Sequence, residues 1–208
     1  RGAMKALTGR TLGNYRLLET IGQGGMGVVY LGEHVLIGRK VAVKVLLPEV
    51  AGDPGRIQRF FNEARAAAQI RHPSIVDVVD FGTEHDIPYL VMEYLDGESV
   101  RARLDRAGAL TEVTARRLGR QIASGLAAAH ARHIVHRDLK PDNVFLVHDE
   151  EVPEKERIKV LDFGIAKLLA DGGDRAVHTG GGEVLGTPGY MAPEQARGGG
   201  ATDQRADV

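Results

Sequence analysis

Apolar positions in the first ninety residues fall mostly in short runs rather than at helical spacing. Tyr15 to Ile21, Val28 to Leu31 and Lys40 to Leu47 (KVAVKVLL) are brief stretches of this kind, the last rich in β-branched residues, and they predict three successive strands. The glycine cluster GQGGMG separates the first two. The period then changes: RIQRFFNEARAAAQI sets Ile57, Phe60, Ala64, Ala67 and Ala68 at helical spacing before Pro73 ends the pattern, which predicts an amphipathic helix of about four turns. Ile75 to Phe81 and Tyr89 to Met92 read as two further strands, and EYLDGES as a polar connector.

After the connector, Thr111 is placed as an N-cap with Glu112 in the first turn, and Ala115, Leu118, Ile122, Leu126 and Ala129 trace one apolar face of a long helix. Strand-like pieces return at Ile134 to Val135, Val144 to Val147 and Ile158 to Leu161, and the glycine-rich stretch from Ala170 to Gly182 reads as a mobile loop. A β-rich half followed by a helix-rich half predicts an α+β chain of two lobes, residues 15–95 and 96–208, with a cleft between them.

Composition narrows the class. With 208 residues, 43% of them hydrophobic and 26% charged, the chain belongs with folded globular proteins rather than disordered ones. Its formal charge of −1 excludes a generic nucleic-acid or anionic-membrane binder, and no run approaches the roughly 20 apolar residues of a membrane-spanning helix. Cysteine is absent, which excludes disulfides, thiolate metal sites and cysteine nucleophiles; a reducing compartment suits this, so the expected location is cytoplasmic. The chain opens at Arg1 with RGAMKALTGR, which has no apolar signal-peptide core, and closes on RGGGATDQRADV without a helix-stop or turn residue. The expectation is an internal piece of a longer protein, whose other segments would decide any membrane anchoring.

Gly22, Gly24 and Gly27 form GxGxxG, a weak signal alone because dinucleotide-binding folds share it. The dinucleotide version needs a helix directly after the third glycine, so that its N-terminus meets the pyrophosphate. Val28, Val29 and Tyr30 follow here, which favours a β-hairpin whose glycine tip lets backbone approach phosphates. Strand alternation sets Ala42, Lys44 and Leu46 on one face of KVAVKVLL, so Lys44 should be partly buried. An edge-strand lysine that discourages aggregation is the plain alternative. Glu63, three residues after Phe60 and four before Ala67, lies on the apolar face of its helix, and a Lys44–Glu63 pair would hold the ammonium for a ligand phosphate.

The densest signal is HRDLKPDN at 136 to 143, followed by DFG at 162 to 164 and APE at 192 to 194. In this order and spacing the chain resembles, from about Tyr15 to Val208, a eukaryotic-type protein serine/threonine kinase of the kind also found in bacteria. The resemblance implies a two-lobed protein-kinase fold, a β-rich lobe with its helix followed by a helix-rich lobe that is incomplete in this chain. It implies that Gly22, Gly24 and Gly27 cover the ATP phosphates, that Ile21 belongs to the same nucleotide site, that Val29 and Ala42 roof the adenine, that Lys44 contacts the α- and β-phosphates, and that Glu63 pairs with Lys44. Met92 matches the position limiting the depth of the adenine pocket, and the Glu93 carbonyl and Leu95 amide match the groups that bond adenine. Asp138 resembles the catalytic base, Lys140 the γ-phosphate contact, and Asn143 and Asp162 the Mg2+ ligands, oxygen donors that suit that cation. Lys140, two residues after Asp138, and GTPGYMAPE point to Ser/Thr rather than Tyr acceptors.

Three features depart from the family's usual pattern. A complete domain has further helices after Val208, so Asp207 would only begin the buried helix that anchors the catalytic loop, and apolar surface near Leu118, Ile122 and Leu126 is expected to lack its cover. HDEEVPEKER at 148 to 157 lengthens the connection between two strands and should be solvated. The activation segment offers few hydroxyls, chiefly Thr179 and Thr187; Arg137 is assigned to receive a phosphate on Thr179, and Thr187 to a structural contact with Asp138 and Lys140. His34, His72, His85, His130, His133, His148 and His178 lack paired metal spacing and are read as loop or packing residues.

The functional expectation is transfer of the ATP γ-phosphoryl to Ser/Thr hydroxyls of proteins, the chain itself included, with ATP and Mg2+ as cofactors and no nucleic-acid partner. A pseudokinase or nucleotide-binding scaffold is the alternative. A nicotinamide-dependent oxidoreductase fails on the strand after the glycines and leaves HRD and DFG unexplained.

Overall fold

A computed structural model describes residues 7–24, 27–163, 188–196 and 203–208, apart from the side chains of Glu49, Arg59, Glu63 and Pro188. The chain divides into two compact units, residues 1–68 with 77–95 and residues 69–76 with 96–208.

In the first unit, β1 (Thr11–Leu12), β2 (Tyr15–Gly24), β3 (Gly27–His34), β4 (Lys40–Leu46), β5 (Val78–Glu84) and β6 (Ile87–Glu93) form an antiparallel sheet in the order β1-β2-β3-β4-β6-β5. Register assigns the faces. Val29 lies opposite Lys44 and Lys44 opposite Leu90, while Ala42 lies between Leu31 and Met92, so these six residues share one face. Val28, Tyr30, Val41, Val43, Val45, Tyr89 and Val91 point the other way and, with Leu12, Tyr15 and Leu17, make the unit's hydrophobic core. Two helices complete the unit, α1 (Pro48–Ala51) and α2 (Pro54–Ala68). The predicted helical face of α2 buries Phe60, Ala64 and Ala67, and Phe61 packs on Phe81 of β5 with ring centroids 5.6 Å apart.

The predicted strand from Ile75 begins only at Val78. Ile75 instead makes an isolated parallel bridge to Val160 within the second unit. That unit carries a three-stranded antiparallel sheet of β7 (Gly97–Ser99), β8 (Val144–His148) and β9 (Glu156–Val160). Its helices are α3 (Val100–Ala107), α4 (Glu112–His130) and α5 (Pro193–Ala196). Thr111 caps α4, its side chain accepting from the Thr114 amide. Leu118 and Leu126 are 3% and 6% exposed and pack with Ile70, Ile75, Val144, Leu146, Ile158, Val160 and Phe163. For Leu118 and Leu126 the expectation that this face lacks cover is therefore corrected, since β8 and β9 cover them and each such side chain gains about 1.5–3 kcal/mol over leaving it in water, while Ile122 is half-buried against the same cluster. Ala115 falls outside that face and is exposed.

The polar connector holds more structure than expected. EYLDGES contains β7, and the unpredicted α3 follows, capped by the Ser99 hydroxyl, which accepts from the Ala102 amide. No residue of VRARLDRA is buried, and ionic contacts hold the helix. Arg103 reaches Glu98 at 2.5 Å and Glu156 at 2.9 Å, and Arg117 of α4 meets Glu156 at 2.6 Å. Within the charged 148–157 stretch, Arg157 pairs with Asp149 and Glu150 with both His148 and Lys155, while Glu156 turns to Arg103 and Arg117.

Candidate active site

The glycine stretch is a hairpin, as expected. Gly22 faces Val29 and Gly24 faces Gly27 across β2 and β3. The three glycines answer to different constraints. A Cβ on Gly27 would run into the Val45 carbonyl, so strand packing demands that glycine, whereas a Cβ on Gly22 would sit in ordinary contact 3.7 Å from Val29 and one on Gly24 would meet nothing within 4 Å. Ile21, at the base of the hairpin, is 46% exposed. Val29, Ala42 and Lys44 share the sheet face that looks away from the core, and Lys44 is only 8% exposed, so the edge-strand alternative fails: β4 lies between β3 and β6. The Lys44–Glu63 pair lies outside the described residues. Met92 is buried at the end of β6 beside Ala42, Glu93 pairs with Val41, and the Glu93 amide and carboxylate both bond the backbone of Asp77. Leu95, half-buried, follows as the last residue of the unit.

In the second unit the predicted strand at Ile134 to Val135 is absent: the Ile134 amide donates to the Ala129 carbonyl of α4 at 3.1 Å, and the amides that follow are held by a carboxylate. Asp207, with a fully buried side chain, accepts from the amides of His136 at 2.8 Å and Arg137 at 2.7 Å, and contacts His130 Nε2 at 2.8 Å. These donors are therefore satisfied by a side chain rather than by a neighbouring strand. Arg137 adopts φ 65°, a left-handed value costly for a residue with a Cβ, and its buried Nε has no partner among the described residues.

Asp138 follows directly. Its Oδ2 lies 3.1 Å from Lys140 Nζ and accepts from Asn143 Nδ2 at 3.1 Å, and the same Nδ2 donates to the Asp138 carbonyl at 2.8 Å. With Nδ2 so used, the Asn143 side chain presents Oδ1 as its remaining donor atom for a cation. The Asn143 carbonyl accepts from the Leu161 amide at 2.8 Å, which brings the start of DFG beside it, and Asp162 takes φ 54°. Asp138, Lys140, Asn143 and Asp162 are thus drawn together although up to 24 positions separate them. Gly164, Thr179 and Thr187 lie outside the described residues.

His136 was legible only as a letter of the motif. Its ring accepts from the Asp138 amide at Nδ1 and meets the Leu161 carbonyl at Nε2, 2.8 Å away, and it stacks on Phe163 at 4.8 Å. These partners require the neutral ring protonated at Nε2. Burial pushes its pKa down, against the Leu161 carbonyl and the charges of Asp207, Asp162 and Asp138. His72 is held alike, accepting from the Ser74 amide at Nδ1 and touching Ser124 Oγ at Nε2, and burial with Arg157 and Lys159 lowers its pKa. Both groups bind protons more readily unfolded than folded. Their stabilisation is complete above the ordinary histidine value of about 6.5 and is lost as pH falls below it. The melting temperature is expected to fall between about pH 6.5 and 5, and His72→Gln to flatten that fall; an unchanged slope in the variant would remove His72 from the account.

The second unit thus holds Asp138 bonded to both Lys140 and Asn143, with the Asn143 carbonyl tied to the Leu161 amide next to Asp162. The protein kinase domain family matches residues 15–208, and the chain belongs to it. It is 48% identical to the serine/threonine-protein kinase Pkn1 of Myxococcus xanthus over 209 residues, 99% of this chain and 29% of that protein. It is 42% identical to PrkC of Bacillus subtilis, over 96% of this chain and 29% of the relative. The crystal structure of the Mycobacterium tuberculosis PknI kinase domain superposes with a TM-score of 0.68 at 30% identity, covering 96% of this chain and 71% of that one. The chain thus has the α+β protein-kinase fold, and it spans under a third of the length of these two curated relatives. Among the described residues no helix is long and apolar enough to cross a membrane.

Proposed function

We propose that the chain is the catalytic part of an ATP-dependent protein serine/threonine kinase, with an ATP-binding lobe at 15–95 and a catalytic lobe at 96–208. The observation that carries this reading is the bonded cluster of Asp138, Lys140 and Asn143. Lys140, 3.1 Å from the Asp138 carboxylate, would meet the γ-phosphate where negative charge accumulates, and Asp138 would accept the proton of the attacking Ser or Thr hydroxyl. In the first unit, the three glycines would lie over the phosphates with Ile21 beside the nucleotide, Lys44 with Glu63 would hold the α- and β-phosphates, Val29, Ala42 and Met92 would contact the adenine, and Glu93 and Leu95 would bond its edge through backbone. The divalent ion implied by the family would be Mg2+: a carboxylate from Asp162 and the Asn143 Oδ1 are hard oxygen donors, and Mg2+ takes few protein ligands and completes its shell with phosphate and water. Bound there, it would neutralise phosphate charge. Protein substrates rather than nucleic acids, and a cytoplasmic catalytic part, complete the proposal.

Transfer of radiolabelled phosphate from ATP to a generic protein substrate tests it, and ATP binding without transfer would favour a nucleotide-binding scaffold. Arg137 supports a regulatory reading, because its buried Nε has no partner among the described residues and a dianionic phosphate would supply one. Autophosphorylation at Thr179 is expected, with loss of activation in Thr179→Ala, whereas phosphorylation of Thr187 should harm activity. An unmodified Thr179 by mass spectrometry, together with a fully active Thr179→Ala, would remove that role.

A further inference from the structure

Both ends of the Arg137 main chain are held by side chains from distant positions. Its amide is bonded by Asp207, and its carbonyl accepts from Gln195 Nε2 at 3.0 Å. Gln195 belongs to α5, and its Oε1 accepts from the Ala192 amide at 3.1 Å. One side-chain amide thus joins the segment at 188–196 to the loop carrying Asp138. Only one orientation of the amide serves both contacts, since a flipped group would set donor against donor and acceptor against acceptor.

The geometry matters because the Arg137 carbonyl belongs to the peptide unit that precedes Asp138. The other end of that unit, the Asp138 amide, donates to His136 Nδ1 at 3.2 Å. With N–H and C=O both engaged, the plane of the peptide is set, and with it the direction in which the Asp138 side chain leaves the backbone. Arg137 sits at φ 65°, a conformation that a residue with a Cβ keeps only where its surroundings impose it. Asp207 imposes it from the amide side and Gln195 from the carbonyl side.

We propose that Gln195 is a positioning residue that orients Asp138 through the Arg137 carbonyl, so that the placement of segment 188–196 and the readiness of the catalytic loop are coupled. Its rate consequence rests on the phosphoryl-transfer reading above. Glutamine suits this task because a single side chain must accept at one end and donate at the other; glutamate can only accept, and leucine does neither.

Two variants of the chain separate positioning from local packing. Gln195→Glu keeps the acceptor for Ala192 and loses the donor to Arg137, whereas Gln195→Leu loses both. If the Arg137 contact positions Asp138, kcat falls about five- to tenfold in both variants, with KM for ATP within about twofold of wild type. Gln195→Glu sets acceptor against acceptor at Arg137, so a modest fall in melting temperature is expected there as well. Amide hydrogen exchange across residues 134–143 should quicken several-fold in both. A Gln195→Glu protein with wild-type kcat would reduce the residue to a brace within α5, and unchanged exchange at 134–143 in both variants would overturn the proposal outright. Exchange needs no turnover, so a wild-type chain that transferred no phosphate would sink the kinase reading while the exchange comparison still decided the role of Gln195.

Discussion

Asp138→Asn is expected to slow phosphoryl transfer by about 10²–10⁴-fold while leaving ATP affinity within about twofold, because a positioned base contributes that much and little else changes. Asparagine has nearly the shape of aspartate, and its one side-chain oxygen can still accept from Asn143 and meet Lys140, so the 3.1 Å contacts around Oδ2 have a surviving partner. What disappears is the carboxylate able to take the hydroxyl proton. Radiolabel transfer at saturating ATP, beside a nucleotide-binding measurement, checks both halves. A variant retaining more than about half the wild-type rate would remove Asp138 from the role of base.

The second large effect is structural and falls on Asp207. Its side chain is wholly buried and accepts from the His136 and Arg137 amides while touching His130. Asp207→Ala would leave two main-chain donors without partners in a buried setting, for a loss of about 3–5 kcal/mol, which in a domain of this size lowers the melting temperature by about 6–20 °C. Activity should fall with it, because Asp138 follows these residues directly. Asp207→Asn, which keeps one acceptor oxygen, should lie between. A melting temperature for Asp207→Ala within about 2 °C of wild type would show that other groups hold the loop.

Much of the site could be read from the chain because the chemistry depends on residue types that few other roles would collect in that order. HRDLKPDN, DFG and the hairpin glycines are local patterns, and α4 with its Thr111 cap follows from a clear helical period. Other elements were illegible for physical reasons. In α3, eight residues with Val100 and Leu104 as the only large apolar side chains are too short a stretch to declare a period, and its stability comes from Glu98 and Glu156, the latter 53 positions away from Arg103. Ile134 and Val135 carry strand-forming side chains, but the amides that follow them are claimed by a carboxylate 70 and 71 positions further on. Gln195 follows APE directly, and no local pattern distinguishes an amide with two backbone partners from one in water.

By itself, then, the sequence determined the inventory: which side chains can hold phosphate, bind a cation or accept a proton, and the periods that raise most of the strands and the long helix. Only the tertiary structure decided how that inventory is oriented. Sheet register set Val29, Ala42 and Lys44 on one face and the core on the other, and buried Lys44 between β3 and β6. Asp207 and Gln195 set the peptide that leads into Asp138. Orientation of this kind rests on hydrogen bonds between groups far apart in the chain. Those bonds become worth making only once folding has taken both partners out of water.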